Sequence, residues 1–122
     1  MASDKKTTGN FGERYTVCRL RLKGYRIIER NYHSKFGEID IIAKNRKYIV
    51  FVEVKTRTEG FLYSPRQAVD VFKQQKCVKT AQYYLLKNQT KLQPRFDVAE
   101  IILKKGTKRH KVLEYTYLEN AF

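Results

Sequence analysis

The chain has 122 residues, 42% of them hydrophobic, a length and composition that suit one domain with its own core and exclude wholesale disorder or a stapled miniprotein. Its 26 Lys and Arg against 12 Asp and Glu leave a net charge of +14. Such an excess attracts polyanions, because neutralised phosphates release condensed counterions, and with no membrane-spanning run and no strongly amphipathic basic helix the expected partner is nucleic acid rather than a membrane.

Residues 1–8 read as a flexible polar N-terminal tail and residues 9–122 as a single α/β domain. From about Asn10 to Lys23, Phe11, Tyr15, Cys18 and Leu22 recur at three- and four-residue steps, which predicts a helix closed by Gly24 in a left-handed cap. "YRIIERN" predicts a short strand. "GEIDIIAK" and "KYIVFVEVKTR" predict two more, joined around "NRK". Ser64 and Pro65 offer an N-cap and a first helical residue, and a helix is expected over the region Arg66 to Leu86, with Val69, Phe72, Ala81, Tyr84 and Leu85 facing inward. Pro94 breaks the chain before a strand in "RFDVAEIIL", and "GTKR" turns into a last strand in "HKVLEYTYL". The order α-β-β-β-α-β-β describes a mixed central β-sheet flanked by helices, a three-layer α/β domain.

Cys18 and Cys77 fit no Cys-x-x-Cys pattern, and His33 and His110 complete no zinc spacing. Both cysteines are expected as packed thiols in a reducing compartment. The polar start "MASDKKTTGN" is not a signal peptide, so the expected location is cytoplasmic.

The hairpin region holds charges where a core is needed. By alternation Val50, Val52 and Val54 line one face of their strand, and Ile49, Phe51, Glu53 and Lys55 the other. In the preceding strand Asp40 and Ile42 share one face, Ile39 and Ile41 the other. A two- or four-residue connection around Asn45–Lys47 puts Asp40 on the face of Glu53; a three-residue connection puts it on the opposite face unless a bulge restores the match. With four residues Asp40 sits directly opposite Glu53. Opposed carboxylates repel, and a divalent cation is the natural compensation. Mg²⁺ prefers carboxylate, carbonyl and water oxygens, so Asp40, Glu53 and the Val54 backbone carbonyl form a candidate metal site, with Lys55 beside it to polarise an attacking water or stabilise charge on a phosphate. An isolated Glu-x-Lys is usually an exposed strand-end pair. Here the charges interrupt apolar runs in adjacent strands of a strongly basic chain.

At these residues the chain resembles a known family. "GEIDIIA" followed by "VFVEVKTR", within "GNFGERYTVCRLRLKGYRIIERNYHSKFGEIDIIA" and with "RFDVAEI" later, looks like the YraN family of small bacterial proteins. That family resembles the PD-(D/E)XK, or restriction-endonuclease-like, nuclease superfamily and the archaeal Holliday-junction resolvases within it. The resemblance implies a restriction-endonuclease-like fold. It matches Asp40 to the metal-binding aspartate, Glu53 and Lys55 to the (D/E)XK acid and lysine, and Glu13 to a helical glutamate that assists the metal and the chemistry. It matches Arg57 to a phosphate contact and Lys73 with Gln74 to a polar helix position that supports the site. Glu38 is prominent in the same motif. No Pro-Asp pair precedes the hairpin; Asp40 follows Ile39 instead.

The expected function is metal-dependent endonuclease action on nucleic acid, DNA and branched structures foremost, with Mg²⁺ as cofactor and Mn²⁺ as its substitute. Asp40 and Glu53 hold the ion, Glu13 assists, and Lys55 orients or activates the water. Arg14, Arg19 and Arg21 on the first helix carry backbone contacts. A homodimer is the expected assembly, because junction cutting needs two active sites. The alternative is a nucleic-acid-binding module on the same fold with weak or no catalysis. An accessory protein whose basic face binds an acidic partner ranks last, since it uses none of the carboxylate pattern.

Overall fold

The run from Tyr48 to Thr58 is apolar on both sides through its first half because it lies at the middle of the sheet, buried against both helical layers. The computed structural model describes residues 2–60 and 70–122. Helix α1 (Ala2–Leu22) leads into strands β1 (Arg26–Ser34), β2 (Gly37–Lys44) and β3 (Tyr48–Thr58). Helix α2 (Val71–Lys87) crosses over to β4 (Gln93–Leu103), and β5 (Val112–Leu118) ends the fold. The order is the expected α-β-β-β-α-β-β. The strands form one sheet in the order β1-β2-β3-β4-β5, with β3 and β4 parallel and the other neighbours antiparallel. Val17 and Leu20 of α1 pack on Ile41, Ala43, Val50, Val52 and Ala99 on one face. Ala81 and Tyr84 of α2 pack on Ile39, Ile42, Ile49 and Phe51 on the other. This is the three-layer α/β arrangement with a mixed central sheet.

Helix α1 departs from expectation at its start and in its buried face. Its backbone is helical from Ala2, so residues 2–8 of the expected tail extend the helix. Once the inner turns are fixed against the sheet, each added residue gains a hydrogen bond for little further ordering, and no proline stops it. The buried stripe is Glu13, Thr16, Val17 and Leu20, whereas Cys18 is exposed and Leu22 is 83% exposed. The cause is close approach. A Cβ built on Gly12 would overlap Thr56 Oγ1 and lie 3.0 Å from Thr56 Cβ, so the helix descends onto β3 along a small-residue face rather than its most apolar one. Phe11 and Tyr15 pack sideways, against His110 and Tyr115 respectively. The helix ends as expected. Gly24 adopts φ +94, with Tyr25 N–H donating to Leu20 O and Gly24 N–H to Arg21 O, both at 3.0 Å, the paired bonds of a Schellman cap.

Helix α2 is capped by Asp70, whose side chain accepts from Lys73 N–H at 2.8 Å. The Ser64–Pro65 cap, and the expected helical residues Arg66 and Val69, lie outside the described residues. Phe72, expected inward, is 76% exposed, because the face that meets the sheet runs through Cys77, Thr80, Ala81 and Tyr84. Strand β4 begins before Pro94, which pairs with Ile49 and is tolerated near the strand start.

At the beginning of β4, buried Arg95 donates to Asp97 and to Tyr25 Oη. Asp97, fully buried, also accepts from Tyr117 Oη and from Asn120 N–H. The network ties β4, β5 and the chain end to the α1 layer.

Gly12→Ala should destabilise the protein by about 1–3 kcal/mol, the scale of overpacking a fitted contact. Thr56→Ala in the same chain should restore part of the loss by removing the atom the new methyl overlaps. Urea unfolding of the two single variants and the double variant measures this coupling. Strict additivity would show that the helix–strand approach at Gly12 is not the constraint.

Candidate functional site

The β2–β3 turn sets the site. Asn45 Oδ1 accepts from Lys47 N–H at 2.9 Å and from Tyr48 N–H at 2.7 Å, and Asn45 N–H donates to Tyr48 O at 3.0 Å. This side-chain turn locks an even connection. The register that follows pairs Lys44 with Ile49, Ala43 with Val50, Ile42 with Phe51 and Ile41 with Val52. Continued by one residue, it sets Asp40 against Glu53. There the backbone ladder stops: Val54 N–H donates to Asp40 Oδ2 at 2.8 Å instead of to a β2 carbonyl. The Asp40 carboxylate therefore sits where the two strands part. An extended residue projects its N–H and C=O to the same side, so the Val54 carbonyl opens toward Asp40 as well. The parting also breaks alternation in β2. Ile39 packs with Ile42 on the α2 side rather than with Ile41 as expected.

Glu53 is buried and meets two ammonium groups. Lys73 Nζ is 2.8 Å and Lys55 Nζ 3.5 Å from its Oε1. Cys77 Sγ lies 3.8 Å from its other oxygen. Burial, then the Glu53 charge, pushes the Cys77 thiol up to about 12, so it stays protonated and donates. Burial and the Glu53 charge also raise Asp40 to about 7, with Glu13 adding a smaller repulsion, against the lowering effect of the Val54 N–H bond and of Lys73. Burial, reinforced by the adjacent Lys73, holds Lys55 below the usual lysine range. Burial works most strongly against the charge of Lys73 too, but its hydrogen bonds to Glu53 and Lys55 and the charges of Glu53 and Asp40 together outweigh that and raise it.

Glu13 projects from the buried face of α1, 8% exposed. Its Oε1 accepts from Asn31 Nδ2 at 3.0 Å and from Arg30 Nε at 3.4 Å. Asn31 takes φ +53, a left-handed geometry that asparagine tolerates, and so turns its amide toward the helix. Glu13 is thus held from the opposite layer yet stays close enough for its charge to reach Asp40.

The structure brings together Asp40, Glu53, Lys55, Lys73 and, from α1, Glu13. The other expected residues are spread over α1, β2, β3 and α2. Arg14 and Arg21 point outward from α1, and Arg19 stacks over Tyr115 with its guanidinium carbon 5.0 Å from the ring centre. Arg57 is half-buried at the end of β3 and donates to Thr56 O at 3.1 Å, and Gln74 is half-buried on α2. Glu38 is exposed and pairs with His33 at 3.3 Å, away from the cluster. Sequence reasoning missed Cys77, Arg30 and Asn31. The helical spacing Lys73, Cys77, Ala81, Tyr84 could have found Cys77, whereas nothing in the sequence marks the left-handed Asn31.

The donor set fits a hard divalent ion. Among the described residues no three His, Cys, Asp or Glu side chains form a ready-made metal cage. Two carboxylates and a carbonyl are nevertheless a usual protein complement for Mg²⁺, which keeps several waters. Burial and then the Glu53 charge raise Asp40, and the poorly solvated negative charge behind that rise is what such an ion would relieve.

A family model described as uncharacterised protein family UPF0102 matches residues 12–101, a span that contains every member of this cluster. The chain is 50% identical over 101 residues to a UPF0102 protein of Caldanaerobacter subterraneus subsp. tengcongensis, across 82% of this chain and 83% of that one. It is 44% identical over 120 residues to a UPF0102 protein of Clostridium botulinum strain 657, across 96% and 94% of the two chains. A protein of the Loch Maree strain is 45% identical over 120 residues with the same coverage. No helix among the described residues is long and apolar enough to cross a membrane.

The raised carboxyl makes a stability prediction with a definite sign. Folded Asp40 titrates near 7 and unfolded Asp40 near the usual 3.8, so its ionisation opposes folding and the wild type loses stability as pH rises between those values. Asp40→Asn keeps the acceptor for Val54 N–H and carries no charge. It should be more stable than wild type at pH 8, with the advantage fading toward pH 4. Urea unfolding of both proteins without divalent ions, at several pH values, measures the difference; a pH-independent difference would contradict the assignment.

Proposed function

This chain belongs to UPF0102, the YraN family its motifs resemble, and we propose that its carboxylate–lysine cluster hydrolyses phosphodiester bonds in nucleic acid, with DNA as substrate and Mg²⁺ as cofactor. The observation that carries this reading is the meeting of Asp40 and Glu53 at the parting of β2 and β3, with Lys55 and Lys73 on the same carboxylate. The net charge of +14 supplies the attraction to a polyanion.

Asp40 and Glu53, with the Val54 carbonyl, would hold Mg²⁺, or Mn²⁺ in its place. The ion would supply Lewis acidity toward the phosphate and lower the cost of forming hydroxide from water. Lys55 lies largely buried beside Glu53, so its ammonium is fixed and poorly screened, the condition under which one charge stabilises a transition state most. Its lowered proton affinity also lets it exchange a proton with the attacking water. Glu13, clamped by Asn31 and Arg30, adds negative potential that strengthens cation binding at Asp40. The outward Arg14 and Arg21, with Arg19 and Arg57, would make phosphate contacts that position without reading sequence. Paired cuts in a branched substrate would use a homodimer. The second reading, a binding module without catalysis, is favoured by one observation: Glu53 is paired with two of the chain's own cations, Lys73 and Lys55.

Cleavage of single-stranded, duplex, flap and four-way-junction DNA with Mg²⁺ or Mn²⁺ separates the two readings. Wild type should cut and Asp40→Ala should not; equal residual activity in both would mark a contaminant and remove the nuclease reading. Glu53→Ala should lose cleavage while binding DNA at least as tightly, since a negative charge near the phosphates is gone.

Lys55→Ala should cut about a hundredfold more slowly or worse, the scale of losing one electrostatic stabiliser, with little change in affinity. Lys55→Arg should not restore the rate, because a planar guanidinium neither fits the compact ammonium site nor exchanges a proton. Undiminished cleavage by Lys55→Ala would exclude this lysine from the chemistry.

A further inference from the structure

We propose that Lys73 is a displaceable counter-ion: its ammonium holds Glu53 while no metal is bound, and leaves that carboxylate when a divalent ion arrives, becoming free to meet a phosphate oxygen. The inference rests on the metal-dependent reading above and assigns the regulation of that site.

Three observations carry it. First, Glu53 Oε1 is shared by two lysines, and Lys73 is the nearer, at 2.8 Å against 3.5 Å for Lys55. Second, the two differ in freedom. The Lys73 side chain is 37% exposed and that of Lys55 13% exposed, so Lys73 has the more open path to solvent. Third, Lys73 stands in the first turn of α2, where the Asp70 side chain is engaged with the Lys73 backbone N–H and no other acidic residue is present. A cation there opposes the helix dipole, so its place is set by Glu53 rather than by its own helix.

Charge counting favours an exchange. Glu13, Asp40 and Glu53 against Lys55 and Lys73 sum to one negative charge when all are ionised. A divalent ion turns that into one positive charge, and the departure of Lys73 removes it. The flexible four-carbon stem lets its ammonium swing while the helix stays fixed. Lys55, more deeply enclosed, remains. The departing ammonium is the more exposed of the two, so metal loading and phosphate capture become one linked event.

The test measures Mn²⁺ binding without nucleic acid, by the paramagnetic resonance signal of free Mn²⁺, together with melting temperature with and without Mn²⁺. Lys73→Met keeps the stem and removes the charge. It should bind Mn²⁺ about tenfold more tightly than wild type, as expected for one partly buried competing charge removed. It should melt lower than wild type without metal and gain more on Mn²⁺ addition. Lys79→Met removes an exposed charge from the same helix and should bind Mn²⁺ as wild type does. Equal or weaker Mn²⁺ binding by Lys73→Met, equal tightening by Lys79→Met, or no Mn²⁺ binding by any of the three would each overturn the exchange. The nuclease reading is judged separately, by Asp40-dependent cleavage: if that is present while Lys73→Met binds Mn²⁺ like wild type, only the exchange falls.

Discussion

Strands β2 and β3 separate one residue beyond Ile41 and Val52, and the backbone group freed there is taken by a side chain. Val54 N–H donates to the Asp40 carboxylate, which fixes that carboxylate in the gap between the strands. The same register brings Glu53 opposite. Two anions are thereby forced together in a poorly solvated place, and the cost appears in the raised proton affinity of Asp40. A protein seeking only stability would fill this gap with apolar side chains.

The two helical layers answer that repulsion differently. From α2 come Lys73, paired with Glu53, and the protonated thiol of Cys77. From α1 comes Glu13, which adds negative charge and is itself restrained by Asn31 and Arg30. Its delivery depends on Gly12: the helix must descend close enough to β3 for a side chain one residue on to reach the sheet. The packing of a helix backbone on a strand and the placement of a carboxylate are here one constraint.

A second buried ionic group shows what complete satisfaction looks like. Asp97 receives hydrogen bonds from Arg95, Tyr117 and Asn120, and Arg95 also meets Tyr25. Each charge is paired within a closed network whose contribution is to specify how the chain end docks. The cluster at Asp40 and Glu53 lacks this closure. Its lysines are unequally enclosed and its carboxylates repel, which leaves it responsive to an added cation.

The strands were legible because period-two alternation and the turn residues Asn45–Lys47 state their own geometry. The pairing of Glu53 with Lys55 followed from that alternation alone. The inward face of α1 was not legible. Phe11, Tyr15, Cys18 and Leu22 form the more apolar stripe, but contact distance at Gly12 and Thr56, not hydropathy, chose the face that packs. For the same reason Glu13 read bottom-up as a surface carboxylate, and only the resemblance pointed it to the site. Local pattern in the sequence determined the element order and the hairpin but left its connection at two, three or four residues; the four-residue turn of the structure set Asp40 against Glu53. Tertiary structure alone decided that Lys73, twenty residues beyond Glu53, is its closest cation among the described residues, and that Ile39 leaves the face of Ile41. Periodicity encodes which way a side chain points within its own element, whereas the distance between elements is set by how closely their backbones can approach.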